Sequence, residues 1–205
     1  MKYLHGYEKV VHDYNAQGLR VRTKYFDRGD SLIVKIDYKY DEQDRVSEEN
    51  TFDSEEELIK KSIYRRPNDN LVEKSEYNSE GKLIKTVTSK YNKEGLLIER
   101  NNYSEEDKTF NDVKYKYDKQ GRVIDEVTST SEGTTTRSEY LQYNYAGDLS
   151  FHRYDIPSFG GDPIEFEAHY QYDENGNWIK RSVYSGKNDT KKTPGQITER
   201  KIYYY

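Results

Sequence analysis

Four histidines are the first residues in this sequence that could bind a metal or move a proton. They are His5, His12, His152 and His169, and no two of them share the short spacing of a metal-binding motif. We therefore interpret them as structural or surface histidines. The chain contains no cysteine, which excludes disulfides, zinc–thiolate sites and thiol nucleophiles and leaves the redox compartment open. Neither a metal nor a cofactor is expected.

Carboxylates are abundant, with 38 Asp and Glu residues, so some pair must lie within glycosidase distance by chance. The sequence singles out no such pair, and we assign no catalytic residue. Residues 173–177 have oxygens at alternate positions, as a calcium loop does, but Tyr184 stands where such a loop ends in Glu. Turn chemistry explains Asp173 and Gly176 better than metal binding does.

Two segments have the residue types of a binding site. Residues 155–163 interrupt an otherwise regular pattern with two of the four prolines, a phenylalanine and a Gly–Gly pair, which lets the backbone approach a partner closely. The other segment holds the only tryptophan beside two tyrosines, the residue types that often supply binding energy at interfaces. The candidate contacts are Pro157, Phe159, Gly160, Gly161, Tyr170, Tyr172 and Trp178. The alternatives are a plain irregular connection and a structural role for the aromatic rings.

The composition limits the classes of partner. The 205 residues carry 33 basic and 38 acidic side chains, a net charge of −5, which argues against non-specific nucleic-acid binding. No run of apolar residues is long enough for a membrane span, and residues 1–5 lack the apolar stretch of a signal peptide. The localisation stays open: cell envelope or secreted if a signal peptide was removed, cytoplasmic otherwise. The 22 tyrosines supply ring surface for a folded protein with a thin core.

A repeat of about 26 residues positions the candidate side chains. Each copy has an aromatic residue, then Asn or Asp, then Gly or a substitute three residues further on, and then a short apolar pair. Strong copies begin at Tyr14, Tyr40, Tyr77, Tyr91, Tyr117, Tyr143 and Tyr172, and weaker half-step copies at Phe26, Phe52 and Tyr103. An Asn or Asp that bonds to the backbone two residues on, followed by a left-handed Gly, closes a β-hairpin.

The residues between the turns predict antiparallel strands, about two per repeat. Residues 83–91, for example, alternate in polarity and are rich in β-branched side chains. Residues 54–61 are ambiguous, because Ser54 and Glu57 also fit a helix capping box, but the register of the repeat favours a strand. Residues 185–195 are polar and basic, which predicts a solvated loop.

Residues 115–124 and 170–179 carry the motif most clearly, as Tyr117-Asp118 to Gly121 and Tyr172-Asp173 to Gly176. They resemble the YD repeat of the RHS family. The resemblance covers residues 14–179, and residues 197–205 are similar to the closing strand of short bacterial YD-repeat proteins. It implies a bacterial, hairpin-built protein of a kind often secreted or surface-associated. The long members coil a sheet into a shell around a toxin domain, and this chain is much shorter than such a shell.

We therefore predict an all-β fold in one domain over residues 1–205, an antiparallel repeat sheet of stacked β-hairpins that is strongly twisted or coiled. The expected function is a non-catalytic binding or scaffolding module of the cell envelope. The alternative is a carbohydrate-active enzyme or toxin-system component with carboxylates on a concave face. The partner stays open between a glycan and an envelope protein. Exposed edge strands also allow a homodimer.

Overall fold

The computed structural model describes residues 8–186 and 194–204 and contains two compact units, Met1–Phe110 and Asn111–Tyr205. His5 and most of the predicted loop at residues 185–195 lie outside the described residues. Each unit is a run of antiparallel strands. The prediction that the whole chain forms a single domain stays a prediction.

In the first unit each strand pairs antiparallel with its neighbours in the chain. The strands are β1 (Lys9–Tyr14), β2 (Arg20–Phe26), β3 (Leu32–Tyr40), β4 (Val46–Phe52), β5 (Leu58–Asn68), β6 (Leu71–Asn78), β7 (Leu83–Tyr91) and β8 (Leu97–Ser104). The following strand, β9 (Thr109–Tyr117), begins at the boundary between the units.

The second unit continues the same pattern. Its further strands are β10 (Val123–Ser129), β11 (Thr135–Tyr143), β12 (Leu149–Asp155), β13 (Ile164–Tyr172), β14 (Trp178–Ser185) and β15 (Gln196–Glu199). A single 3₁₀ turn, Pro157–Phe159, is the helical structure in the described part of the chain. The predicted all-β class and the antiparallel sheet of stacked hairpins are confirmed. Of the predicted closing strand at residues 197–205, the structure has a strand at its start, since β15 (Gln196–Glu199) pairs with β14, whereas residues 200–204 are not in a strand.

The turns follow the chemistry that the repeat predicts. In nine of the described turns the Oδ1 atom of the Asn or Asp accepts two backbone N–H groups, two and four residues later, at 2.8–3.1 Å. The residue three positions after it has a positive φ, as at Gly121 (77°) and Gly176 (78°). Asp44 and Glu56 take the same conformation, at 57° and 65°. The calcium-like segment at Asp173 is therefore a turn.

The ambiguous segment at residues 54–61 is a turn and a strand rather than a helix. Asp53 accepts hydrogen bonds from the backbone N–H groups of Glu55 and Glu57, and Glu56 takes the positive φ of the Gly position. Strand β5 then begins at Leu58. The register of the repeat outweighs local helix propensity here because both neighbouring strands, β4 and β6, pair with β5.

A long polar side chain ties each of several hairpins to the next. The strand register shifts at the residue that follows each turn, and the carbonyl of this residue accepts a hydrogen bond from a side chain 20 to 22 residues later, on the next strand. The side-chain donor and the residue whose carbonyl accepts are, in each case, Tyr40 and Arg20 (2.6 Å), Arg66 and Val46 (2.9 Å), Tyr143 and Val123 (3.0 Å), Tyr170 and Leu149 (3.0 Å), and Arg200 and Trp178. Tyr40 and Tyr143 make this bond from the aromatic position of the repeat, and Arg66 makes it 26 residues after Tyr40.

The core is thin, as the composition predicts. Among the described residues, Ala168 is the one buried hydrophobic side chain, and Thr23, Ser62 and Ser89 are buried as well. Thr23 is covered by larger neighbours, with its Oγ1 at 3.1 Å from His12 Nδ1 and at 3.4 Å from the Tyr38 hydroxyl. Stability therefore depends on many cross-strand side-chain pairs, each contributing about 0.2 to 1 kcal/mol.

We expect Gly121→Ala to lower the free energy of unfolding by about 1 kcal/mol, because a Cβ strains the left-handed conformation at φ 77°. Gly195→Ala is the matched control in the same unit. Gly195 lacks a positive φ, and its new Cβ would meet only Ser185 Oγ, at 4.0 Å. Urea unfolding of both variants measures the difference. Equal stabilities would contradict the turn assignment.

Removing one of the hydroxyls that tie hairpins together should also be measurable. Tyr143→Phe leaves the Val123 carbonyl without the hydroxyl at 3.0 Å, and we expect a loss of about 0.5 to 1.5 kcal/mol. Tyr145→Phe is the control, since Tyr145 is 93% exposed and lies only two residues away. If thermal melting of the two variants is indistinguishable, the hydroxyl bond does not stabilise the sheet.

Candidate binding face on strands β12 to β14

The register of β12, β13 and β14 places one set of side chains on a common face of the second unit. Side chains alternate along β13, so Phe166, Ala168, Tyr170 and Tyr172 share this face, and directly paired residues share it too. From β14 the pairing adds Arg181 and Val183, and from β12 it adds His152 and Tyr154. We call this surface the aromatic face.

The aromatic residues at one end of this face form a contiguous group, which we call the aromatic cluster: Tyr145, Tyr170, Tyr172 and Trp178. The rings of Tyr170 and Tyr172 stack with centroids 6.1 Å apart and an interplanar angle of 26°. Trp178 meets Tyr170 edge-on at 6.2 Å. Tyr145, in the turn between β11 and β12, lies 5.9 Å from Tyr172. Three of these residues were predicted as contacts, and the structure brings them together.

Hydrogen bonds fix the orientation of Tyr172 within the cluster. Its hydroxyl donates to Asp148 Oδ2 at 2.5 Å and accepts from the side-chain amide of Asn144 at 2.7 Å. Burial and the Asp148 carboxylate both disfavour the phenolate, and together they raise the pKa of Tyr172 to about 12. Tyr172 is thus a rigid, neutral ring at neutral pH.

Trp178 is less available to a ligand than its residue type suggests. The Arg200 guanidinium lies over the indole ring with its Cζ 3.9 Å from the ring centroid, and Arg200 Nε also donates to the Trp178 carbonyl. This cation–π contact covers the indole ring with a side chain from the segment that follows β15. Trp178 consequently acts as a support for Tyr170, and the exposed aromatic surface of the cluster belongs to Tyr145.

The other predicted segment lies away from the cluster. Residues 157–161 form the connection between β12 and β13, whereas Tyr172 and Trp178 flank the connection between β13 and β14. The nine residues of β13 separate the two ends by about 26 Å at 3.3 Å per residue. Pro157, Phe159, Gly160 and Gly161 thus make no common site with Tyr172 and Trp178.

The connection itself has a simple structure. Pro157 opens the 3₁₀ turn, and Phe159 at its end is 83% exposed. Gly160 and Gly161 both have positive φ, at 65° and 101°. With residues such as Tyr154 and Ile164 the loop encloses a hollow of only about 70 Å³. A hollow of this size has little room for a ligand.

Sequence reasoning missed Tyr145, although the signal is visible in the repeat. Tyr145 occupies the second residue after Tyr143, directly after the turn Asn144. In the other eight turns built on Asn or Asp this position holds Ala16, Arg28, Glu42, Ser54, Ser79, Lys93, Lys119 and Glu174. None of those is aromatic, so the turn geometry itself does not require a ring here.

Charged side chains are paired across the strands of both units. The Arg22 guanidinium donates twice to Asp37, at 2.5 and 2.9 Å, and Lys39 and Lys61 both contact Glu48. The hydrogen bond from Lys39 is the main reason that the pKa of Glu48 falls to about 2. Within residues 8–186 and 194–204, no group of three acidic or histidine side chains could hold a metal ion. The same residues include no helix that is long and apolar enough to cross a bilayer.

Comparison with known proteins identifies the fold. No protein-family model matches the chain, and no curated protein matches it. Two crystal structures are similar to it at 15% identity: TcdB2-TccC3-TEV, with a TM-score of 0.51 over 86% of this chain, and TcdB2-TccC3 without its hypervariable C-terminal region, with a TM-score of 0.52 over 87%. The match takes up 9% of each of those chains. At this identity the likeness shows the fold alone, an antiparallel β-repeat sheet.

The raised pKa of Tyr172 has a consequence for stability. The neutral phenol stabilises the fold fully below its ordinary pKa of 10.0, and this contribution is lost as the pH rises through about 12. In NMR of ¹³Cζ-tyrosine protein, we expect Asp148→Asn to lower the pKa of Tyr172 towards 10. Asp173→Asn is the control, because Asp173 accepts its hydrogen bond from Tyr204 instead. An unchanged Tyr172 titration in Asp148→Asn would contradict the assigned bond.

Proposed function

We propose that this chain is a non-catalytic β-repeat binding module that takes a saccharide ring on the exposed face of Tyr145. The observation that carries this proposal is the 93% exposure of a tyrosine at a turn position that the repeat fills elsewhere with non-aromatic residues. A tyrosine at the surface presents apolar ring area together with a hydroxyl, and this combination is enriched at interaction surfaces.

The surroundings of Tyr145 favour a polar ligand with a flat apolar face. Tyr172 lies beneath the exposed ring, and its hydroxyl is held by Asn144 and Asp148, so the platform is already ordered before binding. Arg122 reaches the turn that holds Tyr145: its guanidinium lies 4.4 Å from the Tyr143 ring centroid, and its Nη1 lies 3.5 Å from where a Cβ would stand at Gly147. A sugar ring has both C–H groups for stacking and hydroxyls for such polar neighbours. A protein partner would call for a broader apolar patch.

The distribution of charge supports a non-catalytic role. Where the pKa of a described carboxyl group departs from its ordinary value, it departs downward. A cation is the main cause at Asp37, Glu48 and Glu56, and the hydrogen bond from the Tyr204 hydroxyl is the main cause at Asp173. A general acid in a glycosidase needs a carboxyl group with a raised pKa. The lowered pKa values suit structural ion pairs on separate strand pairs.

A toxin-system role is the second candidate, and the fold likeness to TcdB2-TccC3 is the observation that favours it. In that case the chain contributes a β-repeat segment to an assembly, and the aromatic cluster contacts another polypeptide. The resemblance to the RHS family also leads us to propose a place of action at the bacterial cell envelope.

Isothermal titration calorimetry against soluble glycans and envelope polysaccharides tests the proposal. We expect a saccharide that binds the wild-type protein to lose about tenfold or more in affinity with Tyr145→Ala, since one stacked ring contributes about 1 to 2 kcal/mol at such a surface. Tyr140→Ala is the matched control, because Tyr140 is 42% exposed and lies on the opposite face.

The outcomes separate the candidates. Loss of affinity in Tyr145→Ala alone supports the saccharide platform. A saccharide that binds both variants as it binds the wild type overturns the site, and the absence of binding by every saccharide overturns the proposed ligand. Hydrolysis of a glycan during the titration would favour the enzyme alternative. Stable association with a toxin polypeptide through Tyr145 would favour the second candidate.

A further inference from the structure

A pocket of about 250 Å³ lies on the aromatic face beside the cluster. Its walls are mainly apolar and come from Leu149, Phe166, Ala168 and Val183, while Ser150, His152, Arg181 and Gln196 supply polar groups. Phe166 is fixed in place by stacking on His152, with centroids 6.2 Å apart and an interplanar angle of 29°. The pocket is therefore built on three adjacent strands, with β15 at its side.

Arg181 lines this pocket with a guanidinium whose Nε atom is buried and lacks a hydrogen-bond partner among the described residues. No ion pair involves Arg181 in the described ranges, whereas Arg22, Arg45, Arg122 and Arg137 each lie beside a carboxylate. Keeping a cation partly out of water without an anion is costly, so a bound anion here would be stabilised strongly.

The strand register explains why Arg181 lacks an acidic neighbour. Arg181 pairs with Tyr170 on β13 and with Thr198 on β15. The acidic residues of β12, β13 and β15 fall at the alternate positions and so on the opposite face: Asp155, Glu165, Glu167 and Glu199. Among the described residues, the pocket residue His152 bonds to a carboxylate: its Nε2 lies 3.0 Å from Glu139 Oε2. Glu139 also accepts a hydrogen bond from Arg137, so its carboxylate is already occupied.

We infer that this pocket binds a carboxylate attached to an apolar group. The guanidinium of Arg181 offers parallel N–H donors to a carboxylate, and Phe166, Ala168 and Val183 offer an apolar wall for the group that carries it. A volume of about 250 Å³ suits a group the size of a benzene ring or a branched aliphatic side chain. Either a free organic acid or the C-terminal residue of a peptide has this chemistry.

This site is independent of the saccharide platform. Tyr145 does not line the pocket, and Arg181 does not belong to the aromatic cluster. A carboxylate can therefore bind in Tyr145→Ala as it does in the wild type, and failure of one proposal leaves the other standing.

The test is calorimetric titration of the full chain with sodium benzoate and, separately, with benzamide. We expect benzoate to bind and benzamide not to bind, because only benzoate pairs with the guanidinium. Arg181→Gln should weaken benzoate binding about tenfold or more, the effect of losing a charge-assisted hydrogen bond. Lys180→Gln is the matched control: it removes the same charge from the adjacent residue, whose side chain points to the opposite face and pairs with Glu199 at 2.8 Å.

A second pair of probes identifies the source of the carboxylate. Acetyl-Gly-Gly-Phe with a free C-terminus is compared with its C-terminal amide. Tighter binding of the free peptide than of benzoate assigns the pocket to a peptide C-terminus, and tighter binding of benzoate assigns it to a small acid.

The result that overturns the inference is equal affinity for benzoate in wild type and Arg181→Gln, or no binding of either carboxylate. If Arg181→Gln does not fold, NMR of the wild-type Arg181 Nε–Hε group decides the question. Benzoate should shift this resonance and benzamide should leave it unmoved. A resonance that stays in place while benzoate is bound also overturns the inference.

Discussion

The pair of hydrogen bonds that one Asn or Asp side chain accepts at each turn is the interaction on which this structure depends. In the part of the chain that the structure describes, neither unit has a helix layer that could hold its strands in place, so the turns set the register. A shift by one residue would move every side chain to the other face. At Asp118 and Asn144, for example, the side-chain oxygen and the positive φ three residues later fix where the next strand starts.

Tyrosine suits a sheet of this kind because it serves two purposes at once. Its ring covers neighbouring side chains where aliphatic residues are scarce, and its hydroxyl bonds to a backbone carbonyl on the preceding hairpin, as Tyr143 does with Val123. Arg66 takes the same role toward Val46, which shows that the position requires a long donor more than it requires an aromatic ring. Cross-strand ion pairs such as Arg22 with Asp37 complete a fold with few buried apolar residues.

In a repeat fold, functional residues stand out where the repeat is not obeyed. Tyr145 places a ring where other turns have small or polar side chains, and Arg181 has a buried Nε atom with no hydrogen-bond partner among the described residues. Trp178 shows the converse, because a residue type common in binding sites is here covered by Arg200 and supports its neighbours. Departure from the repeat is thus a better guide to candidate functional residues than residue type alone.

The sequence alone determined the strands and turns, because the bonds that form a turn join residues within five positions of each other. The same local rule placed Leu58 in a strand despite the helix-like residues before it. The residue types made Tyr170, Tyr172 and Trp178 candidates, but the sequence could not show that the loop at Phe159 lies at the other end of β13. Only the tertiary structure brought Tyr145 against Tyr172 and left Arg181 without an acid, since both depend on which side chains the pairing of successive strands places together, and the local turn bonds do not specify this.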